Sequence, residues 1–533
     1  VAADVRQAAL NRGGYYHRTN SGQPKPQKKK IYHLLGEKSI DMPHPDTDIN
    51  TIEHALYSRV FTLGGKEIPM PKSRKFVRQI CSKFRKRMLR MQRRRECKEP
   101  LTRDEFIMRY KGKKRRVYER AKQQLEEGPV LLDKIARIKC FIKCEPIKKD
   151  PRLISTRDPM FHMEFGRHIA VIEEDVFSDV NHIFAVRRPF VDRLPTILKG
   201  LNQLDRGRVI EKKWSRFAEP VFVGLDVSRF DAHVSKYMLE VEEEVYSGRT
   251  VQNDSPFSFK QLMREIMVNR GRYVGDDGKI TYRVEGTRAS GDMNTSLGNC
   301  TVMCALLYSY LDAKNLLSKV EVIDDGDDAG IIIERKHLKE LGDLEQFYYD
   351  MGFTLKIEEP VAEIEAIEFC RCHPVYTKKG YTMCPNPFRR LYTDTITDKP
   401  LQNSTTMKKW MGAVAGCGLA TTAGLPVFQE FYKWLARSSD HLWIPDEGDF
   451  YWRYRDELAQ GMKIQKRPVC LETRESFAKA YGLSANMQLY FENMFKSQAL
   501  LHYSSKEIRS FDHNFLQTDL PCSVTSVYES YIL

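Results

Sequence analysis

The stretch VIDDGDDAGIII, residues 322–333, sets four aspartates around one glycine with apolar residues on both sides. The segments flanking Gly326 are short, apolar and β-branched, which predicts two strands joined by an acidic turn. Carboxylates this close repel one another. Two readings are open: a solvated Asp-Gly turn, because both residues are ordinary turn formers, or a site for a divalent cation that needs oxygen ligands.

A partner for the turn lies upstream. In VFVGLDVSRFD, residues 221–231, an apolar strand ends at Asp226, and Asp231 follows. A carboxylate at a strand end beside a carboxylate pair at a hairpin tip makes an oxygen-rich pocket. Magnesium favours such a pocket, with few carboxylates and room for phosphate oxygens and water. Two such ions can activate an attacking hydroxyl and stabilise a departing pyrophosphate. Between the acidic segments, EGTRASGDMNTSLGNCTVMCALLYSYL (285–311) runs from a small-residue loop into a helix starting at about Thr295. Gly291 lets the backbone approach another chain closely, and Asn294 is placed to read a polar group. Further upstream, KCFIKCEPIKKDPRLISTRDP (139–159) carries Lys139, Lys143, Lys148, Lys149, Arg152 and Arg157. It presents cations to a triphosphate or forms a surface basic loop.

Composition bounds the rest. The 533 residues are enough for about three domains or one multi-lobed enzyme, and 41 % are apolar, which supports a sizeable core. Lys and Arg number 86 against 71 Asp and Glu, a formal charge of +15. That excess suits a polyanionic partner, either nucleic acid or an anionic membrane surface. It concentrates in KSRKFVRQICSKFRKRMLRMQRRR, Lys72 to Arg95, where Phe76, Ile80, Phe84 and Leu89 recur at helical spacing. This predicts a helix packed on one side with a cationic outer face. Twelve cysteines in so long a chain read as reduced thiols. Cys370, Cys372, His373 and Cys384 are a conceivable zinc group, but their spacing fits no standard pattern. WMGAVAGCGLATTAGLPVF (410–428) carries several glycines and a proline, and predicts a buried helix pair rather than a membrane span. No secretory signal is expected, and a start at Val1 reads as a cleavage product, a trimmed chain or part of a longer translation product.

Taken in order, these segments resemble the RNA-dependent RNA polymerases of positive-strand RNA viruses. They are most similar to the tombusvirus type and more distantly similar to the flavivirus and hepacivirus type. The matching pieces are PRLISTRDPMFHMEFGRHIAVIEEDVF (motif F and after), DVSRFD (motif A), ASGDMNTSLGN (motif B), GDD at 326–328 (motif C), GFTLKIEEP (motif D) and EFCRCHPVY (motif E). GCGLATTAGLPVFQEFYKW resembles the thumb entry of the tombusvirus group. GDD alone is common by chance; the ordered series is specific, and it covers residues from about 105 to 435.

The resemblance implies an α/β chain of the α+β kind, folded as a right hand with fingers, a ferredoxin-like palm with helices on one face, and a helical thumb. Residues 1–70 would be an extension, at best partly ordered over its first 30. Residues 71–220 would form fingers with the basic helix and motif F, 221–235 palm, 236–285 a fingers insertion, 286–385 palm, and 386–533 thumb. Asp226, Asp327 and Asp328 would hold Mg²⁺ or Mn²⁺, with Asp324 and Asp325 outside that set. Asp231, Ser290 and Asn294, supported by Thr295, would recognise the ribose 2′-hydroxyl. An acid at 231 favours ribonucleotides, because reverse transcriptases place a bulky aromatic there. Lys143, Lys149 and Arg152 would meet the nucleotide, and Lys356 would protonate pyrophosphate. Arg157, Gly291, Phe369, Cys370 and Arg371 would contact RNA. Partners would be template and product RNA, NTPs and viral replication proteins, at membrane-associated complexes in the host cytoplasm. Two rival readings are a non-catalytic RNA-coating protein and a reverse transcriptase. The aromatic-rich HLWIPDEGDFYWRY (441–454) either fills the channel for unprimed starts or packs within the thumb.

Overall fold

The computed structural model describes residues 5–10, 12–23, 30–35, 38–146, 150–186, 193–252, 254–399, 401, 403–437, 439, 441–442 and 462–497. The acidic stretch folds as the expected hairpin. Strands Val320–Asp324 and Asp328–Glu334 pair antiparallel, with Asp324 opposite Ala329. The Asp325 N–H donates to the Asp328 carbonyl at 2.8 Å, and Gly326 takes the first central position at φ +96°. A positive φ there belongs to a II′-type turn, whose twist matches the flanking strands and which glycine adopts without steric cost. Strand Asp328–Glu334 pairs on its other side with Pro220–Val227, which pairs in turn with Leu355–Ile357. These strands form a four-stranded antiparallel sheet among the described residues.

The apolar runs in these strands follow from burial on both faces. Val223, Leu225, Val322, Ile331 and Ile333 pack into one core with the Thr295–Ala313 helix. That helix is buried almost all round, as its apolar sequence requires. Phe222, Ile323 and Ile332 face the other way, onto Leu198, Ile210, Phe369 and Met383. The sheet therefore carries the expected helix on one face, and it also carries the Gln203–Trp214 helix and the hairpin strands Cys372–Thr377 and Gly380–Pro385 on the other.

A second sheet has six strands in the order Val5–Leu10, Gly14–Asn20, Gly278–Glu285, Val268–Gly275, Ile138–Ile142 and Leu153–Thr156. Within the first 30 residues, the described strands Val5–Leu10 and Gly14–Asn20 are members of this sheet. Residues 15–20 pair with 278–283, closing what would be an open strand edge. Buried Arg18 pairs with Glu53, and Arg12 donates to the Ala232 carbonyl at 2.6 Å. Strand Ile31–Leu35 then pairs with Ile396–Thr397, next to the C-terminal helices. Described N-terminal strands thus pair with residues 278–283 and with residues 396–397, which polar composition alone does not disclose.

The basic segment forms helices Arg74–Ile80 and Ser82–Gln92. Their buried line is Val77, Cys81, Phe84 and Met88, while Phe76, Ile80 and Leu89 are only half-buried, so the inner face lies rotated from the one expected. Much of the cationic face is neutralised internally. Arg74 and Arg78 pair with Glu240 and Glu244, Lys83 with Asp312 at 2.5 Å, and Arg95 with Asp179 at 2.6 Å. Lys75, Lys86, Arg90 and Arg93 stay exposed.

Helices Ser404–Thr422 and Phe428–Arg437 pack together around Trp410, Met411, Val414, Phe431 and Tyr432. Gly418 is required where the helices touch, since a Cβ there would lie 2.2 Å from the Tyr432 ring. This is the expected buried pair, and no helix among the described residues is long and apolar enough to cross a membrane. Most of HLWIPDEGDFYWRY, from residue 443 on, lies outside the described residues.

Candidate active site

Sheet register places the candidate carboxylates. Asp328 lies directly opposite Asp226 across one strand pair, and Lys356 lies opposite Asp226 across the other. Cross-strand partners project to the same face with Cβ atoms about 5 Å apart, so Asp328, Asp226 and Lys356 form a row on three strands. All three are exposed, as is Asp327 at the hairpin tip. The Asp328 carboxyl is pushed up to about 6, first by its protein-walled surroundings and then by the charges of Asp327, Asp325 and Asp226, with Arg371 opposing. The row is a negative focus with Lys356 and Arg371 as its basic neighbours.

The two aspartates before the glycine do different work. Asp324 is fully buried, and burial raises its carboxyl well above the usual carboxylate range. Asp325 pairs with Lys199 at 2.9 Å and Arg206 at 2.6 Å, and accepts from the Cys370 thiol at 3.3 Å. It ties the hairpin tip to the Gln203–Trp214 helix and to the turn before Cys372. Four aspartates coexist in one turn because one is buried, where its charged form is disfavoured, one is paired, and two face outward.

Asp231 follows the Asp226 strand through a turn in which Arg229 holds a left-handed φ of +49°. The Arg229 guanidinium pairs with Asp150 of the cationic loop. Burial raises the Asp231 carboxyl, while the Asn299 amide and Arg288 pull it back. The residue bonded to Asp231 is Asn299, whose Nδ2 donates to Oδ1 at 2.9 Å. The expectation for Asn294 is thus corrected: its side chain is fully buried and donates to Glu242. Asn294 sits just before the helix, turned inward, whereas Asn299 lies more than one helical turn on, on the face toward the hairpin. A Cβ on Gly326 would lie 3.3 Å from that of Asn299. The available signal was a Gly-Asn pair interrupting an apolar helix.

Other expected contacts divide. Ser290 is exposed, and its Oγ accepts from the Ser155 N–H at 3.2 Å. Thr295 donates to the Ala289 carbonyl at 3.0 Å and shapes the loop from within. Gly291 serves packing: a Cβ there would sit 2.6 Å from the Ser155 carbonyl oxygen. Arg157 is corrected from an RNA contact to a core residue. It is 2 % exposed and binds Asp292 at 2.6 Å, Asn269 at 2.5 Å and the Ala136 carbonyl at 2.5 Å. Phe369 is likewise core, at 2 % exposure. Cys370 sits under the acidic turn, and only Arg371 of that triplet is exposed. Arg152 and Lys143 flank Glu145, at 3.4 and 3.7 Å. Lys149 lies outside the described residues. No zinc-type group gathers among the described residues; His373 Nδ1 lies 2.9 Å from the Glu365 carbonyl.

A profile of the family described as viral RNA dependent RNA polymerase matches residues 17–502. The chain belongs to this family. It is 32 % identical over 477 residues to the RNA-directed RNA polymerase of Oat chlorotic stunt virus, covering 85 % of this chain and 62 % of that relative. The corresponding protein of Tobacco necrosis virus (strain A) is 31 % identical over 492 residues, covering 90 % and 65 %. That of Turnip crinkle virus is 29 % identical over 494 residues, covering 89 % and 61 %. The chain thus spans less than two thirds of these relatives' own lengths. The polymerase family accounts for the order of segments, and its members depend on divalent metal. The donor set here fits such an ion: hard carboxylate oxygens, mutual repulsion among them, and outward exposure. No group of three or more His, Cys, Asp or Glu side chains among the described residues is gathered closely enough to hold a metal ion.

Proposed function

We propose that this chain builds RNA on an RNA template, joining the 3′-hydroxyl of the growing strand to the α-phosphate of an NTP with release of pyrophosphate. The observation that carries this reading is the row Asp328–Asp226–Lys356 beside the Asp231–Asn299 pair. Asp226 and Asp327, with Asp328, would hold Mg²⁺ or Mn²⁺. When bound, such ions supply Lewis-acid stabilisation to the attacking and departing oxygens. The chain's own groups orient the substrate around that centre. Asp231, with one oxygen engaged by Asn299, keeps the other to accept a ribose hydroxyl. Arg152 and Lys143 meet the triphosphate, and Lys356 gives a proton to the pyrophosphate oxygen as it leaves. Exposed Arg371, whose charge acts on Asp328, would contact the growing strand.

The biological setting follows from the same reading: replication of a positive-strand viral genome, with other viral replication proteins, at membrane-associated complexes in the host cytoplasm. The test is extension on a short RNA template by the purified chain with Mg²⁺ or Mn²⁺. Incorporation is expected with either metal, lost on chelation, and lost in Asp327→Asn with RNA affinity retained. Unchanged incorporation in Asp327→Asn would remove the metal-site assignment. RNA binding without incorporation under any metal condition would favour the RNA-coating alternative, and a preference for dNTPs would favour reverse transcription.

A further inference from the structure

Behind Asp231 and Asn299 runs a buried polar chain that the reaction as described leaves unused. Glu242, fully buried on the Lys236–Tyr246 helix, receives two bonds from Arg288: Nη2 to Oε2 at 2.6 Å and Nη1 to Oε1 at 3.3 Å. The third side-chain donor of Arg288, Nε, reaches Asn299 Oδ1 at 2.7 Å. Asn299 Nδ2 then donates to Asp231 Oδ1 at 2.9 Å. The Arg288 backbone N–H also donates to the Asp231 carbonyl at 2.9 Å, so one residue holds both the side-chain partner and the main chain of Asp231.

An asparagine amide is nearly symmetric in shape, and its own torsion does not choose which end faces a neighbour. Guanidinium chooses, because it can only donate. With Arg288 on the oxygen, the NH₂ must face Asp231. The flipped amide would set oxygen against carboxylate and NH₂ against guanidinium, two repulsions in a largely buried site. Glu242 completes the arrangement by compensating a cation that would be costly to bury alone.

We propose that Arg288, held by Glu242, sets the amide orientation of Asn299 and thereby the preference of Asp231 for ribonucleotides over deoxyribonucleotides. This rests on the polymerase reading above. Arg288 and Glu242 are positioning residues, since each acts through Asn299.

Gly298 offers a probe that removes no polar group. A Cβ there would lie 2.4 Å from Arg288 Nη1 and 2.5 Å from Cζ. Alanine suits a helix, so Gly298→Ala displaces the guanidinium and little else. The experiment measures kcat and KM for an rNTP and the matching dNTP with the full chain, comparing wild type, Gly298→Ala, Arg288→Lys, Glu242→Gln and Asp231→Asn. Gly298→Ala and Arg288→Lys are expected to lower the rNTP/dNTP ratio of kcat/KM on the order of tenfold, the effect of one mis-set hydrogen bond. The loss should fall on rNTP KM, with dNTP incorporation little changed, and Glu242→Gln should lie between them and wild type. General loosening of the fold would instead lower both substrates together and leave the ratio intact.

An unchanged ratio in Gly298→Ala and Arg288→Lys, with a fallen ratio in Asp231→Asn, overturns this proposal and leaves the polymerase reading standing. An unchanged ratio in all three overturns the ribose role of Asp231 and this proposal with it. If Arg288→Lys fails to fold, Gly298→Ala decides the matter alone. A wild-type chain that incorporates no nucleotide overturns both readings.

Discussion

Two sets of acids in this chain are built on opposite electrostatic terms. Glu242, Glu321, Asp179 and Glu164 are fully buried, and each meets basic partners: Arg288, Lys213 with Arg216, Arg95 with Arg249, and Arg103 with Arg167. Asp226, Asp327 and Asp328 are exposed and act on one another. Buried charge must be compensated within the fold or it destabilises the fold. Charge that stays uncompensated at the surface of a rigid sheet is available to something from outside. The contrast holds even within one turn, where Asp325 belongs to the first set and Asp327 to the second.

That contrast can be broken by mutation. Asp226→Asn should lower nucleotide incorporation by about 10³-fold or more, since it removes a hard oxygen ligand. Thermal stability should hold or rise, because one member of a repelling set is neutralised. A large stability loss would place Asp226 among the structural acids. Arg157→Ala should do the reverse, costing about 3–5 kcal/mol in a denaturant melt by leaving Asp292 buried and unpaired. Stable protein with weakened RNA binding would return Arg157 to the RNA interface.

Acid should sharpen the same comparison from the cationic side. His33, His162, His168 and His233 are held at about 4 by burial, below the 6.5 of an unfolded chain. Between those values the unfolded chain binds more protons. Stability should therefore be intact above pH 6.5 and fall as pH drops toward 4, by roughly 1–3 kcal/mol for each imidazole. A flat melting temperature across that window would count against their burial as neutral rings. The smallest effect is expected at Lys86→Ala, on the exposed side of the basic helix, where stability should shift by less than about 0.5 kcal/mol. Arg95→Ala, which strips a partner from buried Asp179, should cost more in the same melt.

Much of this was legible because short-range patterns carry it. The acidic hairpin, the strand ending at Asp226, the buried 295–313 helix and the paired C-terminal helices follow from apolar periodicity and turn chemistry. The order of the segments matched the family. What was misread turns on which way a side chain faces. Asn294 and Asn299 are equally plausible in sequence, and only helix packing turns the second toward Asp231. Arg157 reads as one more cation in a basic loop until Asp292, brought from another segment, closes over it. The cations from Arg74 to Arg95 read as a solvated face until Glu240, Glu244, Asp312 and Asp179 arrive from elsewhere in the chain.

The amino-acid order by itself therefore determined the elements and the chemistry available to them: strands, an acidic turn, and a small-residue loop feeding an apolar helix. The tertiary structure alone decided which charges are compensated and which are left open, and it drew the N-terminal strands into the body. Helix and strand periodicity is a property of neighbours along the chain. Compensation of charge depends on distances through space between residues far apart in sequence, and these exist only once the fold has formed.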